Sequence, residues 1–322
     1  MATSLQPSTP ALPLPPVTRL RMLVGCVLVL SATGCGGDFA PPSLVETVRV
    51  LAIRAQPPFL PTTPSATTTL DAKVVGVGAG QALCHAWGLC LLTTTQAGAF
   101  RCADPALQLN LGTTPSVTVD FAQVMTLTLQ AQAYAAKLGR SFTGGPPASD
   151  NPGAAPESVP VTVLFGVGER DSFPAGCPAD IDAFLTTGCV DRERCVIGSK
   201  SLRAFTSGLA QHSNPQLTDL KVGGASTTGA TVIEAATGAL NLAPTWSPDS
   251  REARPDDGGA PIEGLLMSWF STAGAFAKQR SYDAAPSNTL TLGASDDIVT
   301  VWVVVRDGRG GVDWLERRLR AK

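Results

Sequence analysis

Two histidines, two tyrosines and eight cysteines are the residues of this 322-residue chain best suited to chemistry. Acid–base or nucleophilic catalysis needs a titratable group held beside the atom it activates. Here His85 adjoins Cys84, His212 lies in a Ser/Asn/Pro stretch, and the carboxylates are scattered rather than paired. A Ser-His-Asp triad would have to use one of those two imidazoles, and no G-x-S-x-G, P-loop or H-E-x-x-H occurs. Cys84-His85 with further cysteines could be assembled into a zinc ligand set, but neither CxxC nor HxxxH spacing supports it. Asp296, Asp297, Asp307 and Asp313 could gather at one loop end around calcium, without an EF-hand or RTX repeat to order them. Gly76-Val77-Gly78-Ala79-Gly80 follows a strand-like run with no helix after it, so it reads as a hairpin turn rather than a dinucleotide loop. The expectation is a protein that is not an enzyme, with no catalytic residue, metal or cofactor. A metal-dependent enzyme is the remotest of three readings.

The cysteines carry a different message. Cys26 lies in an apolar N-terminal run, and Cys35 ends the segment Ser31-Ala32-Thr33-Gly34-Cys35. The other six form two clusters, Cys84, Cys90, Cys102 and Cys177, Cys189, Cys195. An even number in an exported chain implies disulfides. Three is odd, so all 15 complete pairings contain a bridge between the clusters. Such a bridge closes a loop of roughly 75 to 110 residues, worth about 4 to 5 kcal/mol in the chain-entropy treatment.

Arg19 and Arg21 precede the run Met22 to Leu30, too short to span a hydrocarbon core that needs about 20 apolar residues. This reads as a signal peptide. The small residues before Cys35, directly after a Leu-rich core, resemble a bacterial lipobox, whose Cys becomes the lipidated first residue. The segment before Arg19 is long for a signal's n-region, and translation from Val17 would make a conventional one. Removing residues 1–34 takes away two Arg and no acid, which moves the net charge from −2 to −4. A weakly acidic chain gives no electrostatic basis for nucleic-acid binding, which needs clustered Lys and Arg.

Charged residues are 16% of the chain, with 32 Gly and 26 Pro, so the body is turn-rich and its strands must be found by alternation. After a tether over 35–44, strands are expected at 45–55, 67–77, 82–87 and 117–121. Val124, Leu127, Ala131, Tyr134 and Leu138 follow helical spacing, favouring a helix across the sandwich over a further strand. The apolar run 159–167 is a central strand, the second Cys cluster a loop, and 199–205 the closing strand. Residues 45–206 thus form one disulfide-stapled domain and 207–215 a linker. In 216–322 the runs 217–222, 239–244, 265–270, 297–306 and 312–320 are strand-like, with 251–260 a charged turn. The runs around Asp307-Gly308-Arg309-Gly310-Gly311 form a hairpin.

Trp302 is out of phase with Val299, Val301, Val303 and Val305, so it faces away from whatever core the valines enter. With the turn centred near Arg309, Trp302 and Trp314 are diagonal neighbours on that face. An exposed aromatic pair is a platform for sugars or a partner protein. Burial under a loop or the other domain is the commoner fate of large apolar side chains.

The segments Val48–Ala55 with Pro57-Pro58, Cys84–Cys90 around Trp87, Ser213-Asn214-Pro215, Ser268–Gly274 and Val303–Trp314 resemble those of bacterial envelope lipoproteins with tandem immunoglobulin-like or PKD-like domains. That resemblance implies an all-β fold of two tandem Ig-like β-sandwiches, the first with a short helix, behind a cleaved lipoprotein signal. It further implies a non-enzymatic envelope protein anchored by lipid at Cys35, with a structural, adhesive or binding role toward an envelope protein or polysaccharide. Gly36, not Asp, follows the lipidated position, which by the same resemblance favours the outer membrane. A carbohydrate-binding module built on Trp302 and Trp314 is the second reading.

Overall fold

The computed structural model describes residues 42–322 except 62, 64, 79, 92, 97–98, 140–157, 188–189, 192, 206–212, 252–263 and 294–297. The expected signal peptide, Cys35, Cys189, His212, Asp296, Asp297 and most of the charged turn therefore lie outside the described residues. The chain is all-β, built as two β-sandwiches in tandem.

The first sandwich contains β1 (Arg49–Gln56), β2 (Thr67–Val75), β3 (Leu83–Cys90), β4 (Thr93–Gln96), β5 (Ala99–Cys102), β6 (Gln108–Gly112), β7 (Ser116–Asp120), β8 (Ser158–Glu169) and β9 (Cys195–Phe205). One sheet has the order β1-β2-β7 and the facing one β6-β3-β8-β9, with β4 and β5 a separate hairpin. Between the sheets lies a core that includes Ile53, Leu70, Trp87, Val119, Val163, Phe165 and Leu202. The helix α1 (Phe121–Lys137) closes this core with Val124 and Leu127. Its start is set by Asp120, whose side chain accepts from Gln123 N at 2.7 Å while Gln123 Oε1 accepts from Asp120 N at 3.0 Å, a reciprocal capping box.

Alternation on β3 and β8 buries both faces of their sheet. Trp87 and Leu89, with Val163, Phe165 and Val167, enter the inter-sheet core. Cys84, Ala86, Cys90 and Leu164 face outward against Phe173, Ile181, Phe184 and Leu185 of a cap containing the helix α2 (Ile181–Thr187). Disulfides Cys84–Cys177 and Cys90–Cys102 hold this outer layer, with Cα separations of 5.2 and 5.5 Å. Cys195 is disulfide-bonded as well.

Two expectations are corrected here. Taken alone, Cys84-His85-Ala86-Trp87-Gly88-Leu89-Cys90 reads as a strand end whose Trp packs against a disulfide, but neighbours in a strand point to opposite faces, so Trp87 packs on Phe165 (centroids 4.0 Å apart) while Cys84 and Cys90 face the cap. The glycine run 76–80 is no hairpin turn, because β2 pairs with β1 and β7 whereas β3 pairs with β6 and β8. It carries the chain from one sheet to the other. The buried Glu169 carboxylate ties it down, accepting from Gly78 N at 2.6 Å and from Arg194 Nε at 2.5 Å. The Gly78 amide, offset in part by burial and aided by Arg194, holds that carboxyl below the usual range.

The cap can sit close because glycines replace side chains beneath it. A Cβ at Gly166 would stand 2.6 Å from the Phe184 ring, and one at Gly88 would collide with Ile181. Overpacking of this kind costs about 1 to 3 kcal/mol. Gly166→Ala is therefore expected to lower the unfolding free energy by that amount, read as a lower denaturant midpoint at unchanged slope; an unchanged midpoint would show that the cap yields freely.

The second sandwich contains β10 (Leu217–Val222), β11 (Ile233–Ala235), β12 (Gly238–Trp246), β13 (Leu266–Ser271), β14 (Ala275–Phe276), β15 (Arg280–Tyr282), β16 (Asn288–Leu292), β17 (Ile298–Arg306) and β18 (Val312–Ala321). Its sheets run β10-β12-β16-β14 and β11-β18-β17-β13-β15. Trp269, Met267, Leu290 and the out-of-phase valines Val299, Val301, Val303 and Val305 fill its core. The β17–β18 hairpin pairs Arg306 with Val312 and Trp302 with Glu316. Asp307 shapes the turn, its Oδ1 accepting from Arg309 N at 2.7 Å and Gly311 N at 2.9 Å. Residues Pro41–Lys322 form one compact unit.

Candidate functional site: the junction of the two sandwiches

The face of β17 opposite its own core does not reach solvent. Trp302, 6% exposed, and Val304 join Val312 in a cluster with Leu51, Ala52 and Val75 of the first sandwich and Val45 of the segment before it. Trp314, half-buried beside them, lies under the Arg54 guanidinium, 4.4 Å from the ring centroid. The two tryptophans are diagonal neighbours on one face, since Val304 stands opposite Trp314 and Trp302 opposite Glu316. That face meets the first sandwich, however. Stacking on a sugar needs an open ring face, which buried Trp302 lacks, so the expected exposed platform is corrected to a junction between sandwiches.

Polar groups surround the apolar patch. Arg54 donates to Asp313 at 3.1 Å and to Asp71 at 3.2 Å. Glu316 Oε2 accepts from Trp302 Nε1 at 2.8 Å and from Lys73 Nζ at 2.7 Å. Partial burial pushes the Glu316 carboxyl up, and the Lys73 and Trp302 bonds more than offset it, leaving it below the ordinary range. The expected linker also takes part: Asn214 is buried, donating to Ala55 O at 2.7 Å and to Gln56 Oε1 at 2.6 Å while accepting from Val312 N at 2.8 Å. The end of the expected tether is structured too. Val45 N donates to Ser271 O at 2.8 Å and Ser271 N to Ser43 O at 2.9 Å, so this segment pairs with β13 and the first strand begins at Arg49.

Beside the patch is a cleft of about 520 Å³. β1 and β9 are edge strands of facing sheets. Val48 N donates to Glu193 O at 3.0 Å near one end and Leu60 N to Arg203 O at 2.9 Å at the other. Between these ties the edges part, and Val50–Ile53, Val196–Lys200 and, from the turn, Arg306, Gly308, Gly310, Gly311 and Val312 line the gap. Lys200 Nζ donates to Gly310 O at 2.8 Å, and Arg306 donates to Leu51 O at 2.7 Å and Ser268 Oγ at 3.1 Å. Burial pulls the Lys200 amine down to about 8, with Asp307 opposing and Arg306 assisting. Burial and the nearby Arg280 also lower Arg306. Asp307 is 1% exposed, and its Oδ2 has no hydrogen-bond partner among the described residues. The lining thus offers positive charge, backbone groups and apolar surface.

Lys200 makes a prediction about pH. Its folded pKa near 8 lies below the ordinary 10.5, so between those values the unfolded chain binds more protons and stability rises with pH. Lys200→Met should flatten that rise and stabilise the protein at pH 7, as read from denaturant midpoints between pH 7 and 10.5. A parallel pH profile for parent and variant would refute the assignment.

The remaining sequence candidates sit elsewhere. His85 is 9% exposed on β3, 6.2 Å from the Phe165 ring, and burial lowers its pKa. Asp313 accepts from Arg54 at 3.1 Å and from Leu217 N at 2.9 Å, and Asp307, buried in its turn, has only its Oδ1 engaged among the described residues. Among the described residues no group of three or more His, Cys, Asp or Glu is placed to hold a metal. Lys200 and Arg306 were not legible as site residues, being 106 positions apart with no motif joining them.

No protein-family model matches the chain, and no curated protein does. Among solved structures it is similar to the D0-D1 domain of intimin, with 12% identity over 84% of this chain and 98% of that one and a TM-score of 0.20. It is similar also to fibronectin(III)-like modules of CbhA from Clostridium thermocellum, with 8% identity over 84% and 94% of the two chains and a TM-score of 0.22. A third similarity is to the Yersinia pseudotuberculosis adhesin InvE, with 11% identity over 85% and 60% and a TM-score of 0.19. At these identities and TM-scores the assignment of two β-sandwiches stands on the chain's own sheets.

Proposed function

We propose that this chain is a non-enzymatic protein of the bacterial outer membrane, anchored through lipid on Cys35, that displays its two sandwiches as one stiff unit for adhesion or for binding another envelope component. The observation that supports the reading is the junction: Trp302, Val304 and Val312 are buried against the first sandwich, and Asn214 bridges the two. Relative motion of domains is the default where an interface is small and polar. An apolar patch ringed by ion pairs opposes that motion and lets a membrane tether present a fixed surface. Anchoring rests on the lipobox-like segment, and stable attachment takes more than one acyl chain, which the lipoprotein pathway supplies.

The test is the intact mass of the native protein from its own membranes, before and after reduction, with fractionation of the two membranes. A first residue at Cys35 carrying acyl mass, recovery in the outer membrane and release of Cys35→Ser into the soluble fraction are expected. An unprocessed chain without acyl mass would overturn the anchoring, and recovery in the inner membrane would overturn the location.

A further inference from the structure

We propose that the cleft between the edges of β1 and β9, closed by the β17–β18 turn, binds a small organic carboxylate with a short apolar body. The argument begins with charge. Two cationic side chains, Lys200 and Arg306, line the cleft, and Arg280 acts on Arg306 from nearby. Neither Lys200 nor Arg306 has a carboxylate within 4.0 Å among the described residues. Their hydrogen bonds go to neutral oxygens: Gly310 O for Lys200, Leu51 O and Ser268 Oγ for Arg306. An ammonium has three donors, and Lys200 spends one on Gly310. Among the described residues the negative charge acting on Lys200 is that of Asp307, whose Oδ1 is held by two turn amides and whose carboxylate comes within 4.0 Å of neither cation. Positive charge kept from water is costly unless an anion compensates it.

Shape narrows the class. A cleft near 520 Å³ falls within the range of small-molecule sites, which are mainly apolar with few polar groups. Leu51, Ile53, Val196, Ile197 and Val312 contribute to its lining alongside the two cations. Because its walls come from both sandwiches, an occupant would strengthen the junction by mass action. This inference is independent of the lipid anchor, so either can fail alone.

The experiment titrates the purified full chain with hexanoate, with the neutral hexanamide and with inorganic phosphate, following backbone amides by NMR. Hexanoate should saturate, shifting the amides of Gly308, Gly310 and Gly311, and should bind about tenfold or more tightly than hexanamide, the effect of a hydrogen bond to a charged group. Lys200→Met should lose about tenfold in hexanoate affinity while its hexanamide affinity stays unchanged. The amide shifts need no variant, so they test the site even if the substitution perturbs folding. Equal binding of hexanoate and hexanamide, shifts confined to other residues, or an unaltered Lys200→Met would overturn the site. Tighter binding of phosphate than of hexanoate would overturn the carboxylate class.

Discussion

Replacing Trp302 by Ala is expected to cost the protein about 3 to 5 kcal/mol and to loosen one sandwich from the other. The indole is nearly fully buried between β17 and the first sandwich, so truncation leaves a cavity that the six other buried residues of its cluster cannot all close without moving two domains. It also takes away the Nε1 donor that shares Glu316 with Lys73, leaving a half-satisfied carboxylate at the rim of the patch. Trp314→Ala should cost less, because its ring is half-buried and its closest ionic partner, Arg54, keeps Asp313 and Asp71. Denaturant unfolding measures the loss, and small-angle scattering with limited proteolysis measures the loosening. A Trp302→Ala protein of parental stability and shape would contradict the junction and restore an exposed role for that residue.

Removing the Cys84–Cys177 bridge should destabilise the protein more than removing Cys90–Cys102. The first closes a separation of 93 residues and the second one of 12, and the cost in chain entropy grows with the logarithm of loop length. The expectation is about 4 to 5 kcal/mol for the Cys84→Ser/Cys177→Ser pair against about 3 for Cys90→Ser/Cys102→Ser. Packing adds to the difference, because Cys84 also anchors the layer in which Ile181 and Phe184 cover Gly88 and Gly166. Hydrogen exchange should show loss of protection in α2 before the β3–β8 pairing, and unfolding midpoints should rank the two pairs. The reverse ranking would mean that the long bridge contributes little beyond holding an already docked cap.

Strands whose alternation is written into several consecutive residues were legible. The run 217–222 coincides with β10, and the valine phase of 299–305 placed both the hairpin and the face that bears Trp302. Helical spacing from Val124 likewise located α1, because its buried residues recur on one side. Strands of two or three residues such as β11, β14 and β15 have no period to detect, since they exist only through the partners they meet. The helix α2 was hidden in a segment read as a cysteine loop, being too short for amphipathic spacing to stand out.

What the sequence determined by itself was therefore local: which faces of which strands are apolar, where turns fall, and that six body cysteines force a link between two clusters. What those faces meet was decided by the tertiary structure. The side of β17 carrying Trp302 would read the same whether it faced water, a sugar or another domain, because periodicity encodes orientation and not occupancy. Only the docking of Val45, Leu51, Ala52 and Val75 onto it settled the matter. The same holds for the cleft. Lys200 is on the last strand of the first sandwich and Arg306 at the end of β17, and only the parting of two sheet edges under a glycine-rich turn brings their charges to one cleft, with no carboxylate within 4.0 Å of either among the described residues.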